Sequence, residues 1–294
     1  MSDFSSIVNN ADVYYREAFQ RNIGLISKEE QDKLRRCRVA IAGVGGVGGF
    51  HLINLVRMGV GKFTIADMDS YEPPNIQRQC GAFVNTLGKN KAETMAEMAL
   101  SINPYLDIKV FSESVSEDNI NGFLSEADIF LDGIDFFSIE ARRVIFRKVQ
   151  EKGIYAVTAG PLGFGSAMLI FSPKGMGFDE YFDINDSMPY LEKIVAFGVG
   201  LAPAALHLSY LNLDSVDLKS KKGPSLVSAC NLCSAIATTE VLNILLERKK
   251  SLSVPHYFQF DPYGKKMKAG YLTWGNRHPF QRIKRWYLLR KFSR

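Results

Sequence analysis

The sequence predicts an α/β fold: a doubly wound, Rossmann-like, mostly parallel sheet with a long crossover segment and a C-terminal antiparallel extension. Three observations predict it. Short apolar runs alternate with helical patterns from Arg38 to Phe171, the order that builds strand–helix–strand units. The first strand–helix junction, Ala40 to Phe50, reads "AIAGVGGVGGF", a glycine turn of the kind that opens such folds. Near the C-terminus, "HYFQFDPYGKKMK" reads as two strands around a Pro262–Gly264 turn. The 294 residues, 46% hydrophobic and 23% charged, are ample for a buried core of ordinary globular composition.

The elements follow in order. Residues 1–36 form a polar segment, helical in part, and Ser27 with Glu30 is a capping box for a short helix ending near Arg36. "RVAIA" (38–42) suits a buried parallel strand. A helix from Val47 to Met58 uses Val47, Leu52, Leu55 and Val56 as its apolar residues, and Phe63–Ala66 is the second strand, ending at Asp67. Met68 to Lys89 is a long connector holding "PPNIQRQ". Then come a helix at 91–102, a strand at 106–111, a helix over 118–124 capped by Ser116, a strand at 127–132 and a helix at 138–152. Strands are expected at 155–158 and 166–171. From Ser172 to Ser225 the periodicity weakens, as in a long crossing segment with embedded helices and a polar loop, "DSVDLKSKKGPS". A helix over 226–247 precedes the strand pair. The organisation expected is an N-terminal helical segment (1–36), a nucleotide-binding core (37–171), a crossover and C-terminal part of the same domain (172–265), and a basic tail (266–294).

Charge and cysteine content bound the setting. The net charge is +5, yet Asn276–Arg294 alone carries seven Lys or Arg and no acid, so the body is close to neutral. "RIKRWYLLRKF" has the chemistry to meet nucleic acid, an acidic partner or a membrane surface. The plainer expectation is a segment docked by its apolar residues with its charges in water. Ile194–Leu211 is nearly uncharged and about long enough for a bilayer. Pro203, His207 and two glycines make it a buried or interface helix instead, and a membrane is not expected as a partner. There is no basic start followed by an apolar run, so no secretory signal is expected. Four cysteines in so long a chain do not form a disulfide framework, and a reducing, cytoplasmic setting is expected.

Gly43, Gly45 and Gly48 stand at G-x-G-x-x-G spacing between a strand and a helix. Such a turn lets backbone approach phosphate oxygens, which the helix N-terminus also attracts. Asp67, at the end of the second strand, is placed to accept ribose hydroxyls. This much serves NAD and ATP alike. Arg78 and Lys91 tip the balance toward a triphosphate, which carries more charge than a dinucleotide. Asp132 and Asp135, in "FLDGID", fall at the ligand edge of the sheet, where a carboxylate can hold Mg²⁺.

"GVGGVG", the D-x-D at Asp67 and Asp69, N-x-Q-R-Q at Asn75–Gln79, Lys91 in "GKNKA" and "LDGID" together resemble the ThiF/MoeB/HesA family, bacterial relatives of ubiquitin-activating enzymes. "FQRNIGL" resembles the family's opening motif. The resemblance covers Phe19 to about Phe171 and returns at Ala229–Leu246, with five motifs in the right order. It implies ATP and Mg²⁺ as ligands, attack of a substrate carboxylate on the α-phosphate, and release of pyrophosphate from an acyl-adenylate. The carboxylate implied is often the C-terminus of a small ubiquitin-like or sulfur-carrier protein. By motif, Gly43, Gly45, Gly46 and Gly48 would line the phosphates, with Asp69 and Gln79 in the same pocket. Asp67 would bind ribose, Asn75, Arg78 and Lys91 would contact phosphates, and Asp135 would hold Mg²⁺. Arg21 matches an arginine that reaches the neighbouring subunit's ATP, which implies a homodimer. A peptide is an alternative carboxylate donor, and a carboxylate on tRNA another, which the basic tail would suit.

Two family features are missing. Structural zinc usually takes two Cys-x-x-Cys pairs, and only Cys230–Cys233 is present, so zinc is not expected and the pair reads as core residues. No cysteine lies between Gly81 and Ala229 to accept an acyl group. Cys230 is the candidate nucleophile left, at a helix start that would lower its pKa. Phe136 also stands where the family often has Asn. Two alternatives remain at this point: a non-catalytic scaffold of the same fold, and an NAD- or FAD-dependent oxidoreductase.

Overall fold

The computed structural model describes residues 8–218 and 220–292. Met1–Ile7 of the N-terminal segment, Lys219 of the polar loop and Ser293–Arg294 of the tail lie outside the described residues. The sheet has eight strands in the order β3-β2-β1-β4-β5-β6-β7-β8. These are β1 (Arg38–Ala42), β2 (Lys62–Ala66), β3 (Asp107–Phe111), β4 (Ile129–Asp132), β5 (Tyr155–Leu162), β6 (Gly165–Phe171), β7 (His256–Asp261) and β8 (Lys266–Tyr271). Strands β3, β2, β1, β4 and β5 pair in parallel. From β5 onward each pairing is antiparallel, so the predicted parallel sheet with an antiparallel extension is what forms.

The helices divide between the two faces. On one side lie α2 (Lys28–Arg36), α3 (Gly48–Arg57), α4 (Lys91–Ile102) and α9 (Val227–Leu245), which bury Leu34, Leu52, Leu55, Met95 and Val241. On the other lie α5 (Ile120–Phe123), α6 (Ile139–Glu151), α7 (Phe178–Phe182) and α8 (Tyr190–Leu201), built around Phe123, Phe146, Phe178 and Phe197. Strand β1 alternates between them: Val39 and Ile41 join the first core, Ala40 and Ala42 the second. The outlying α1 (Ala11–Ala18) opens on Asn10, whose side chain accepts the Asp12 and Val13 N–H groups. The expected capping box at Ser27 and Glu30 is formed, with the Glu30 pKa held down to about 2 by hydrogen bonds from Arg248 and the Ser27 backbone N–H.

Two expectations need correcting. The apolar stretch from Ile194 to Leu211 is not one helix: α8 starts earlier, at Tyr190, and stops at Leu201, two residues before Pro203, which cannot continue it. A separate 3₁₀ turn covers Leu206–Ser209. The basic tail is docked on the body as expected, but largely through polar groups, with only Leu288, Leu289 and Phe292 of its apolar residues half-buried in the helix. After β8 it forms α10 (Pro279–Phe292), held by polar groups. Gln281 is buried, Lys284 Nζ donates to the Pro203 carbonyl at 2.6 Å, and Arg285 pairs with Asp183 at 2.7 Å. Phe280, Ile283, Trp286 and Tyr287 point to solvent. The reason is local: carbonyls at and beyond the C-terminus of α8 need donors, and the tail supplies them.

Helix α9 has the length and mean hydropathy (1.2) of a membrane-crossing helix. Its Cys230, Cys233, Ala237 and Val241 are nonetheless buried, and it packs on β5, β6 and α3.

His51, on α3, is completely buried, and among the described residues neither ring nitrogen has a hydrogen-bond partner. Burial pushes its pKa down to about 3. The unfolded chain takes up this proton near pH 6.5, so stability falls as the pH drops from about 6.5 toward 3. Urea unfolding should therefore show the wild-type chain losing about 2 kcal/mol more than His51→Leu between pH 7 and pH 5. The same pH slope in both chains would contradict the assignment.

Candidate functional site

The glycine turn between β1 and α3 has two kinds of glycine. Gly43 has φ +78°, and a Cβ there would fall 2.3 Å from the Gly133 carbonyl oxygen. A Cβ on Gly48 would fall 1.8 Å from the Gly43 oxygen. These two serve backbone packing at the ends of β1 and β4. Gly45 and Gly46 differ. Their added Cβ atoms would meet nothing closer than Gln79 Nε2 at 3.4 Å and Cys230 Sγ at 3.6 Å, with Arg78 Nε at 3.7 Å from the latter. Both are half-buried, and a side chain on either would be in ordinary contact with residues that sequence reasoning selected rather than clash with backbone.

Arg78 and Gln79 follow a short 3₁₀ turn, Pro73–Asn75, and are held by Asn75. The Asn75 side chain accepts the Glu72 N–H at 3.0 Å, and its carbonyl accepts the Arg78 and Gln79 N–H groups at 3.0 and 2.9 Å. Asn75 thus shapes the loop that presents the cation. Gln79 is buried, and its Oε1 has no partner among the described residues. This leaves one buried acceptor position unfilled beside the glycine turn.

Asp67 closes a second wall. Its carboxylate accepts the Val44 N–H of the glycine turn at 2.9 Å and the Asp69 N–H at 3.0 Å. Burial raises its pKa against those two bonds. Asp69 in turn pairs with Lys91, whose buried ammonium lies 3.0 Å away at the first residue of α4.

The two aspartates after β4 have different fates. Asp132 is buried against Arg142 at 2.8 Å and Thr158 at 2.6 Å, so its charge is already matched and it is not free for a metal. Asp135 is exposed, with Oδ1 accepting the Phe137 N–H at 2.9 Å. Magnesium needs only one or two carboxylates when phosphates complete its shell, so Asp135 fits that ion. Phe136 packs on Phe197 and against Gly198 of α8.

Arg21 does not join this cluster. It is exposed in the turn Gln20–Asn22, and neighbouring Phe19 and Asn22 pack at Gly59 and Met58. That is the far end of α3 from the glycine turn.

Cys230 does, but not as a poised thiolate. It is 1% exposed, and burial raises its pKa although Ser225 and Arg78 pull the other way. The lowering expected from the helix start is outweighed by desolvation. Cys80, which the sequence leaves isolated, lies 3.0 Å from the Cβ position of Gly49, and burial pushes it up to about 12. Cys233 is fully buried, 3.1 Å from Ser166 Oγ.

Sequence reasoning missed Arg142, whose ion pair joins a strand to a helix and leaves no local pattern. It also assigned no role to Tyr190, whose hydroxyl donates to the Phe137 carbonyl at 3.0 Å and so braces the Asp135 turn.

The chain matches the ThiF family over residues 19–277. It belongs to that family. The match takes in the crossover and the antiparallel strands as well as the motifs. The tRNA threonylcarbamoyladenosine dehydratase of Haemophilus influenzae is 31% identical over 150 residues, 51% of this chain and 57% of that protein. The chain spans about half the length of the curated relatives it matches first. Among solved structures, PaaA superposes with a TM-score of 0.64 at 19% identity, covering 92% of this chain and 84% of PaaA. E. coli MccB, crystallised with AMPCPP and MccA, gives 0.62 at 18% identity, covering 90% and 71%. At these identities the structures show the fold, and they show the same fold for this ThiF-family chain.

Removing Arg142 alone would strand the buried Asp132 charge. Arg142→Met should lower unfolding stability by about 3–5 kcal/mol in urea titrations, and adding Asp132→Asn should recover part of that loss. An additive double variant would contradict the pairing.

Proposed function

We propose that the chain is an ATP-dependent adenylyltransferase that joins a substrate carboxylate to AMP and releases pyrophosphate. The observation that carries this reading is the glycine turn at the N-terminus of α3, whose half-buried Gly45 and Gly46 stand beside the Arg78 side chain. Membership of the ThiF family supports it and sets the oxidoreductase alternative aside.

The chemistry needs screening of charge more than proton transfer. A carboxylate oxygen attacks the α-phosphorus, and the bond to the β-phosphate oxygen breaks, with its electron pair leaving on pyrophosphate. The attacking carboxylate is ionised at neutral pH, so no general base is required. What must be overcome is repulsion between an anion and a highly charged triphosphate. Arg78 at the glycine turn provides fixed positive charge for this, and Lys91 at the N-terminus of α4 would add its own by exchanging Asp69 for a phosphate oxygen. Asp135 would hold Mg²⁺, which supplies further neutralisation of the phosphates. Arg21, remote from its own chain's site, would act on the site of a second copy, so the active form is a homodimer. Cys230, buried and with a raised pKa, favours a reaction that ends at the adenylate without a thioester step.

The acceptor we favour is the C-terminal carboxylate of a peptide or small carrier protein, as the similarity to MccB crystallised with MccA suggests. A carboxylate on tRNA is the second reading. The seven cations between Asn276 and Arg294 and the similarity to a tRNA-modifying dehydratase favour it. Both fit a cytoplasmic enzyme.

Calorimetry tests the reading. Wild-type protein should bind Mg-ATP and give no heat with NAD, while Arg78→Ala and Asp135→Ala should each bind Mg-ATP about tenfold more weakly. Tight NAD binding without an ATP response would overturn the proposal. Binding of neither would leave a non-catalytic scaffold.

A further inference from the structure

The polar loop of the crossover segment is tied to both walls of the candidate site. On the Arg78 side, Gln77 Nε2 donates to the Ser225 carbonyl at 3.3 Å. Ser225 Oγ lies 3.8 Å from Cys230 Sγ, which itself faces Gly46. On the Asp135 side, the Lys221 ammonium lies 5.5 Å from the centre of the Tyr190 ring. The Tyr190 hydroxyl is bonded to the Phe137 carbonyl, and the Phe137 N–H to Asp135. So the segment runs from the turn that presents Asp135 to the turn that presents Arg78.

The loop also fixes how Lys221 is presented. Asp217 and Lys222 exchange two backbone hydrogen bonds of 2.9 Å, and Asp217 Oδ1 accepts the Ser220 N–H at 3.0 Å. Within this small hairpin Lys221 has φ +56°, a left-handed conformation that a lysine seldom adopts. The conformation holds an exposed side chain at the tip of the turn. Among the described residues Lys221 has no carboxylate partner, and its contact is the face of Tyr190. An exposed cation–π contact is weak, and a phosphate oxygen is a far stronger partner for an ammonium.

We infer that Lys221 is a further phosphate ligand, whose ammonium exchanges the Tyr190 ring for the β- and γ-phosphates of ATP. The inference rests on the adenylation reading and adds to it a cation from the crossover segment. In the free protein Lys91 is paired with Asp69 and Arg78 stands beside Gly46, so Lys221 would bring a cation to the outer phosphates from the Asp135 side. Contact with the outer phosphates would be made before bond cleavage and kept with the leaving pyrophosphate. Lys221 would thus discriminate ATP from AMP.

The experiment is calorimetry with ATP and with AMP, each with Mg²⁺, on wild type, Lys221→Met and Lys221→Arg. Lys221→Met should weaken ATP binding about tenfold and leave AMP binding unchanged, and Lys221→Arg should stay close to wild type for both. Thermal melts of the three proteins should coincide, because the side chain is exposed. Unchanged ATP affinity in Lys221→Met, with wild type binding ATP normally, would overturn the inference alone. Equal losses for ATP and AMP would overturn it too, because Lys221 would then act elsewhere on the nucleotide. A wild-type protein that binds no ATP would overturn the adenylation reading and this inference with it.

Discussion

Backbone lies on backbone where β1, β4 and α3 meet, and the arrangement of the site depends on that contact. A Cβ on Gly133 would fall 2.1 Å from the Gly43 oxygen and 2.9 Å from the Gly48 Cα. Three glycines from three elements thus occupy space that no side chain could share. Their contact sets how closely the N-terminus of α3 approaches the strand ends. It therefore decides where Gly45 and Gly46 point and which way the loop after β4 turns out toward Asp135. Parallel pairing brings the same ends together, because Ala42 registers with both Ala66 and Asp132. The carboxylates that follow β2 and β4 arrive on either side of one glycine turn.

Charge is distributed by the same geometry. Asp132 stays inside the sheet layer, paired with the buried Arg142 guanidinium and hydrogen-bonded by Thr158. Three residues later the chain has left that layer, and Asp135 is in water. One carboxylate is structural and the next is available, although the sequence presents them as a pair. Arg78 comes from within the Met68–Lys89 connector and Lys91 from just beyond its end. Lys91 is neutralised by Asp69, while Arg78 donates to the Pro74 carbonyl and lies beside Gly46. The connector's length follows from this work. It must fold its own turns, around Asn75 and at Val84–Thr86, to deliver both ends.

Local signals were enough where they agreed with one another. The sequence places β1 at 38–42 and α4 at 91–102, and the structure has both at those residues. Strand β1 is a continuous apolar run before a glycine turn. Helix α4 is opened by Asn90, whose side chain accepts the Glu93 N–H. The signals failed where tertiary packing decided. The strand expected at 155–158 instead runs on to Leu162, because the antiparallel partner β6 pairs Ala167 with Gly160 and Ser166 with Pro161. The outward apolar face of α10 was illegible for a related reason. A mixture of leucine, aromatics and cations does not say which side will find acceptors on the body. At the site the glycines, Arg78, Gln79, Lys91 and Asp135 could be read because each belongs to a short motif. Arg142, Tyr190 and Lys221 could not, since they act across 10 residues of chain or more.

The central claim is that Gly45 and Gly46 are small for a ligand's sake, whereas Gly43 and Gly48 are small for the fold's sake. Gly46→Ala separates these directly, because its Cβ would meet nothing within 3.6 Å in the free protein. Melting temperature and Mg-ATP affinity should be measured together on this variant. An unchanged melt with Mg-ATP binding weakened about tenfold or more is the predicted result. Wild-type affinity in Gly46→Ala would contradict the account, because the phosphates would then lie somewhere other than against this turn.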